Sequence, residues 1–226
     1  GHRVGIFRVL DVLEKHGLPV TLAMDALTAE HYRYLANHCH ERGCEFIGHG
    51  ISVSRMITSR MSEAEERDYI EQSLAALESV TGKRPRGWFG PEYGESTRTP
   101  QLLADAGVSY VCDWANDEQP YAMTTATGRL VSLPIMLELE DQHALHDRRV
   151  PIARYETLVP EGAEILAKDG ESNGRLLVLH LHPWLIGQPF RIGALDRLLT
   201  RVLSLPRVWK ASGSEIVDWF NANPPK

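Results

Sequence analysis

The sequence predicts an α/β fold built on parallel strands. Three observations carry that expectation. Helix-like and strand-like segments alternate along the chain, which is the pattern of parallel strands joined by crossover helices. The length, 226 residues, suits an α/β barrel and is enough to bury a sizeable core. Polar and reactive side chains collect just after several strand-like segments, where sites lie in parallel α/β folds. No linker, internal repeat or low-complexity segment divides 1–226, so a single domain is expected.

Each element has a local signal. Val4 to His16 carries apolar residues at helical spacing and stops at Gly17 and Pro19. "VTLAM" reads as a short buried strand. A helix is expected over Ala29 to Arg42, ended by Gly43, with "CEFIG" as the next strand. Ser62 and Glu65 form a capping box that opens a long helix to about Val80. "RGWFG" follows as a strand. Thr99 before Pro100 reads as a cap with proline at the first helical position, and Gly107 ends that helix. "VSYVC" is a further strand, and Arg129 to Leu139 reads as extended. A helix is expected between Arg154 and Lys168. "GRLLVLHLHP" is the clearest strand pattern of all. Two helices follow, the last opened by Ser214.

Composition narrows the class. Hydrophobic content of 43% and charged content of 24% are those of an ordinary globular protein. The net charge of −6 is spread along the chain, which argues against a nucleic-acid or anionic-membrane partner. No apolar run is long enough to span a bilayer. Cys39, Cys44 and Cys112 form no repeated spacing, which predicts reduced thiols and a cytoplasmic location. The chain opens without Met and already inside a helical pattern, so further residues ahead of Gly1 are expected.

Several strand ends carry candidate chemistry. His180 and His182 lie two apart on the predicted strand and so face one side, with Pro183 placing His182 at its edge. His182 reads either as a general acid or base or as a partly buried histidine bonded to backbone. His49 ends "EFIGHG" between two glycines; it reads as a turn histidine or as a metal ligand, and position 53, one helical turn on, is Val. "CDWANDEQPY" sets Asp113, Asp117 and Glu118 around Trp114 and Tyr121, a composition that suits either a polar, ring-shaped ligand or a solvated acidic loop. "GWFGPEYGES", with Trp88, Glu92 and Tyr93, reads as a rigid surface loop or a substrate-lining one. Glu138 and Glu140 would share a face if "LPIMLELED" is extended.

Taken in order, "GHRVGIFRVLDVLEKHGLPVTLAM", "EFIGHG", "MSEAEERDYI", "TGKRPRGWFGP", "TPQLLADAGVSYVCDWANDEQPY", "LPIMLELED" and "LHPWLIGQPFR" resemble the polysaccharide deacetylase family, carbohydrate esterase family four. The likeness is to the branch with metal-independent allantoinases and peptidoglycan or chitooligosaccharide deacetylases. It implies a distorted (β/α) barrel of about seven parallel strands, the first lying before residue 1. It implies hydrolysis of a non-peptide C–N bond, in an N-acetylated saccharide or related small amide. Allantoinase-like cyclic-amide hydrolysis without metal, or an impaired saccharide-binding member, are the alternatives. Carried over residue by residue, His182 stands at the leaving-group acid. His49 stands at the first metal histidine, while Val53 fills the place of the second and Gly90 that of an arginine. The family's aspartate pair would fall ahead of Gly1. The expected site therefore has His182 and His49 in the chemistry, and Trp88, Glu92, Tyr93, Asp113, Trp114, Asp117 and Glu138 around the substrate. His49 is the candidate ligand for a zinc that is weakly held or absent. A homo-oligomer is expected by the same likeness.

Overall fold

Six strands form one sheet in the order β1-β2-β3-β4-β6-β5 among the described residues, which are residue 1 and residues 3–224 of a computed structural model. β1 (Thr21–Met24), β2 (Glu45–Gly48), β3 (Gly87–Trp88), β4 (Tyr110–Val111) and β6 (Leu130–Ser132) run parallel. β5 (Tyr121–Met123) closes the edge antiparallel to β6. The α/β reading with parallel strands therefore holds. Of the six strands among the described residues, one runs antiparallel.

The segments fall into two compact units. The first holds Gly1–Leu18, Ala115–Gln119 and Ile135–Lys210; the second holds Pro19–Trp114, Pro120–Pro134 and Ala211–Lys226. The sheet belongs to the second unit. There α2 (Ala26–His31) and α3 (Arg33–Glu41) link β1 to β2, α4 (Glu63–Thr81) links β2 to β3, and α5 (Thr99–Asp105) links β3 to β4. Tyr69, Ile70 and Leu74 of α4 pack against Trp88, Val111, Leu103 and Leu130. The first unit is helical. Val9 of α1 (Gly5–Lys15), Tyr155 and Val159 of α6 (Ile152–Asp169), and Leu195, Leu198 and Leu199 of α7 (Ile192–Leu203) share a core with Ile186.

Several expectations are corrected. "GRLLVLHLHP" forms no strand. A strand exists only through a ladder, and here the backbone partners lie in turns: Leu176 N–H donates to the Glu118 carbonyl, and His182 N–H donates to the Asp141 carboxylate. The single helix expected over Ala29 to Arg42 is two, broken at Tyr32, where ψ is +50°. The first of them starts early because the Asp25 side chain accepts from Thr28 N–H. Thr99 is not a cap; its hydroxyl turns inward to Glu66. The last helix, α8 (Gly213–Ala222), is capped by Ser212 in a capping box with Glu215, not by Ser214. The capping box at Ser62 and Glu65 is present as read.

Two carboxylates tie the second unit together. Glu66, buried in α4, accepts from Ser96 Oγ at 2.7 Å, Thr99 Oγ1 at 2.5 Å and Arg98 Nη2 at 3.3 Å, which fixes the start of α5. Glu45 at the head of β2 accepts from Tyr110 of β4 at 2.8 Å, from Thr21 of β1 at 3.1 Å and from the Ser214 N–H of α8 at 3.1 Å. A buried carboxylate is tolerable only when donors replace its water shell.

Glu66→Ala is expected to cost about 3 kcal/mol or more, because three donors lose their acceptor. Ser212→Ala should cost only about 1 kcal/mol, the usual worth of an N-cap. Urea denaturation of the two variants should give that ordering.

Candidate functional site

His49 follows β2 directly, and its position is set by packing on both sides. A Cβ on Gly48 would lie 2.6 Å from the Trp88 ring. Gly50 adopts φ +72°, and a Cβ there would strike the Tyr69 hydroxyl. The two glycines thus admit core aromatics. His49 Nδ1 lies 2.5 Å from the Phe89 carbonyl oxygen. A carbonyl only accepts, so Nδ1 carries the proton and Nε2 is the nitrogen with a lone pair. The His49 ring stacks on Phe89 at 5.4 Å, and Phe89 meets Tyr93 edge-on at 5.2 Å. Glu92 and Tyr93 both hold left-handed backbone, at φ 53° and 57°. Such residues cost about 1–3 kcal/mol each and concentrate at ligand sites. Glu92 is exposed.

Trp88, Asp113 and Trp114 gather beyond β3 and β4 with a residue the sequence did not flag, Glu95. Asp113 Oδ1 accepts the Gly90 N–H at 2.7 Å. Burial, and then the Glu95 charge beside it, hold the Asp113 carboxyl well above the usual range, against the pull of the Gly90 hydrogen bond. Burial also pushes Glu95 up to about 6, with hydrogen bonds from Asp113 and Trp114 opposing the rise. Both carboxyls therefore hold a proton to higher pH than free ones do. The Trp88 indole N–H and the Ser132 hydroxyl, both buried at strand ends, have no hydrogen-bond partner among the described residues. Nothing in "GPEYGES" distinguishes Glu95 from the exposed Glu92 two turns of loop earlier.

Asp117 and Glu138 belong to the first unit. Asp117 Oδ1 accepts the N–H groups of Glu118 at 2.6 Å and Gln119 at 3.2 Å, a turn-forming role. Leu137–Leu139 is a 3-10 turn and not extended, so Glu138 and Glu140 point apart. Glu138 is exposed and paired with Arg148, while Glu140 is buried.

In the first unit, Glu140 and its neighbour Asp141 meet the two histidines. Asp141, with no solvent exposure, accepts the His182 backbone N–H at 2.9 Å and lies 2.8 Å from His182 Nδ1. A carboxylate facing Nδ1 holds its proton there and leaves Nε2 directed away. Glu140 Oε1 lies 3.1 Å from His180 Nδ1 and 3.7 Å from His182 Nε2. The two imidazoles are 4.4 Å apart between centroids, and Trp184 meets His182 edge-on at 6.3 Å. Tyr155 pins the turn beneath by donating to the Leu139 carbonyl at 2.8 Å. Burial and the adjacent Asp141 and Glu140 charges raise its phenol above the ordinary value. The sequence offered both carboxylates and both histidines but no sign that residues 41 apart would pair.

A metal at His49 does not fit the residues present. Val53 offers no ligand atom and is 59% exposed. Among the described residues, no group of three His, Cys, Asp or Glu ligand atoms includes His49; the one such group is Glu140, His180 and His182.

The raised Glu95 carboxyl makes a pH prediction. Folded Glu95 keeps a proton that the unfolded chain loses above about pH 4, so its cost to stability grows from there to about pH 6. Glu95→Gln should gain on the parent by about 1–2 kcal/mol between pH 4.5 and pH 7, read as the difference of their thermal or urea midpoints. A difference that stays constant with pH would overturn the raised Glu95 carboxyl.

Comparison with known proteins accords with these features. Residues 3–111 match the family model described as polysaccharide deacetylase. A Schizosaccharomyces pombe protein with a provisional polysaccharide deacetylase name is 26% identical over 243 residues, covering 100% of this chain and 75% of its own length. Peptidoglycan deacetylase of Helicobacter pylori is 30% identical over 119 residues, 52% of this chain and 40% of that protein. The crystal structure of PuuE allantoinase superposes with a TM-score of 0.90 at 25% identity, over 99% of this chain and 74% of that one. Over residues 3–111 the chain thus matches a polysaccharide deacetylase domain, and the proteins it is similar to carry deacetylase and allantoinase names.

Proposed function

We propose that the chain hydrolyses the amide of an N-acetylated saccharide, with His182 as the leaving-group acid. One observation carries this reading: the buried Asp141 lies 2.8 Å from His182 Nδ1, so the second nitrogen is fixed in direction. Water adds to the carbonyl carbon, the C–N bond breaks, the departing nitrogen takes the proton from Nε2, and the proton lost by the water recharges the imidazole after the products form. The negative Glu140 oxygen, 3.7 Å from Nε2, favours the protonated ring before that transfer. Positioned acids of this kind contribute about 10²–10⁴-fold to rate.

The strand-end groups of the second unit are proposed to bind substrate. The unpartnered Trp88 indole N–H and Ser132 hydroxyl, together with the exposed face of Trp114, suit a ligand rich in hydroxyl and amide groups. Residues 1–226 are proposed to work as one catalytic domain. A second reading has support from the poor metal fit at His49 and the likeness to an allantoinase: hydrolysis of a cyclic amide without a metal.

His182→Ala and Asp141→Asn should each lower kcat by about a hundredfold or more on the true substrate while leaving its binding within a few-fold. Assays on chitooligosaccharides and on allantoin separate the two readings. A fully active His182→Ala enzyme would remove the proton-donor role. Ligand binding without turnover of either substrate would leave a saccharide-binding protein instead.

A further inference from the structure

We propose that Glu140, His180 and His182 form a binding site for a zinc-like divalent cation. Each of the three residues offers one ligand atom within 4.8 Å of the others; Glu140 Oε1 faces both His180 Nδ1 and His182 Nε2. Zinc bonds of about 2.0–2.1 Å to nitrogen place neighbouring ligand atoms roughly 3.3 Å apart in a tetrahedron. The Glu140–His180 pair already stands at 3.1 Å and the Glu140–His182 pair at 3.7 Å, so only small side-chain rotations are needed.

The surroundings match the chemistry. One carboxylate and two neutral imidazoles form a set of the kind that binds zinc with a position left open. Asp141 already holds His182 Nδ1, as the outer carboxylate does in carboxylate–histidine–zinc arrangements. The carboxylate is buried, with Glu140 at 6% exposure, while both histidine side chains are 22% exposed, so a cation arriving from solvent can reach them. The same segment supplies both rings because His180 and His182 are two residues apart.

The site stands on this geometry alone. Its consequence for hydrolysis rests on the role proposed for His182: the Nε2 lone pair that would take the metal is the one that must carry the transferred proton. Cation and proton donor are then mutually exclusive, and the cation inhibits.

The test titrates the full chain, freed of metal by a chelator, with Co²⁺ alone and with Zn²⁺ alone. One equivalent of Co²⁺ should bind and give the intense visible absorption of a low-coordinate site. Glu140→Gln and His180→Ala should each weaken binding at least tenfold, and Asp141→Asn about tenfold through loss of the outer carboxylate. His180→Gln serves as a milder variant, and circular dichroism checks that each one folds. Absence of binding, or binding unchanged in folded Glu140→Gln and His180 variants, overturns the site. Zinc activation of the hydrolase, where inhibition is expected, overturns the exclusion. Stoichiometric Co²⁺ binding by a chain that hydrolyses no amide supports the site and counts against the proposed reaction instead.

Discussion

A carboxylate removed from water must find donors, and that requirement fixes much of this molecule. Asp141 is the sharpest case. With no exposure, it takes the backbone N–H and faces the ring nitrogen of one histidine, and so sets where His182 begins and which way its ring points. Glu66 does the same for the start of α5, and Glu45 draws β1, β4 and α8 onto the head of β2. Asp113 and Glu95 meet the requirement differently. Burial holds both carboxyls above their ordinary range, so they meet it by keeping protons. Each solution costs freedom of movement, and the functional groups inherit the resulting rigidity.

Much of the fold was legible because its signals are local. Alternating apolar segments marked β1 to β4, and a serine three residues before a glutamate marked the start of α4. What escaped were decisions made by partners distant in the chain. "GRLLVLHLHP" has every residue-level mark of a strand, yet its backbone bonds to turns around Glu118 and Asp141. Thr99 looks like a cap, but the buried Glu66 claims its hydroxyl. Ser212 and Ser214 were one step apart in the same motif, and Glu45 decided between them by taking Ser214.

The candidate site was legible in its residue types more than in its pairings. His182, Trp88, Asp113 and Trp114 stood out as reactive or aromatic groups at predicted strand ends. The pairing of His182 with Asp141, and of Glu95 with Asp113, depends on the tertiary path of the chain. Glu138 misled because the stretch was read with a period of two. A 3-10 turn rotates its neighbour Glu140 inward and leaves Glu138 to Arg148 at the surface.

His49 and position 53 differ in how freely they can change. His49 sits between glycines locked against Trp88 and Tyr69, so moving it means repacking a core. Val53 is largely in solvent, and substitutions at such places usually shift stability by no more than about 0.5 kcal/mol. Position 49 is therefore costly to displace, while position 53 could exchange its side chain with little trace left in the folding of the chain.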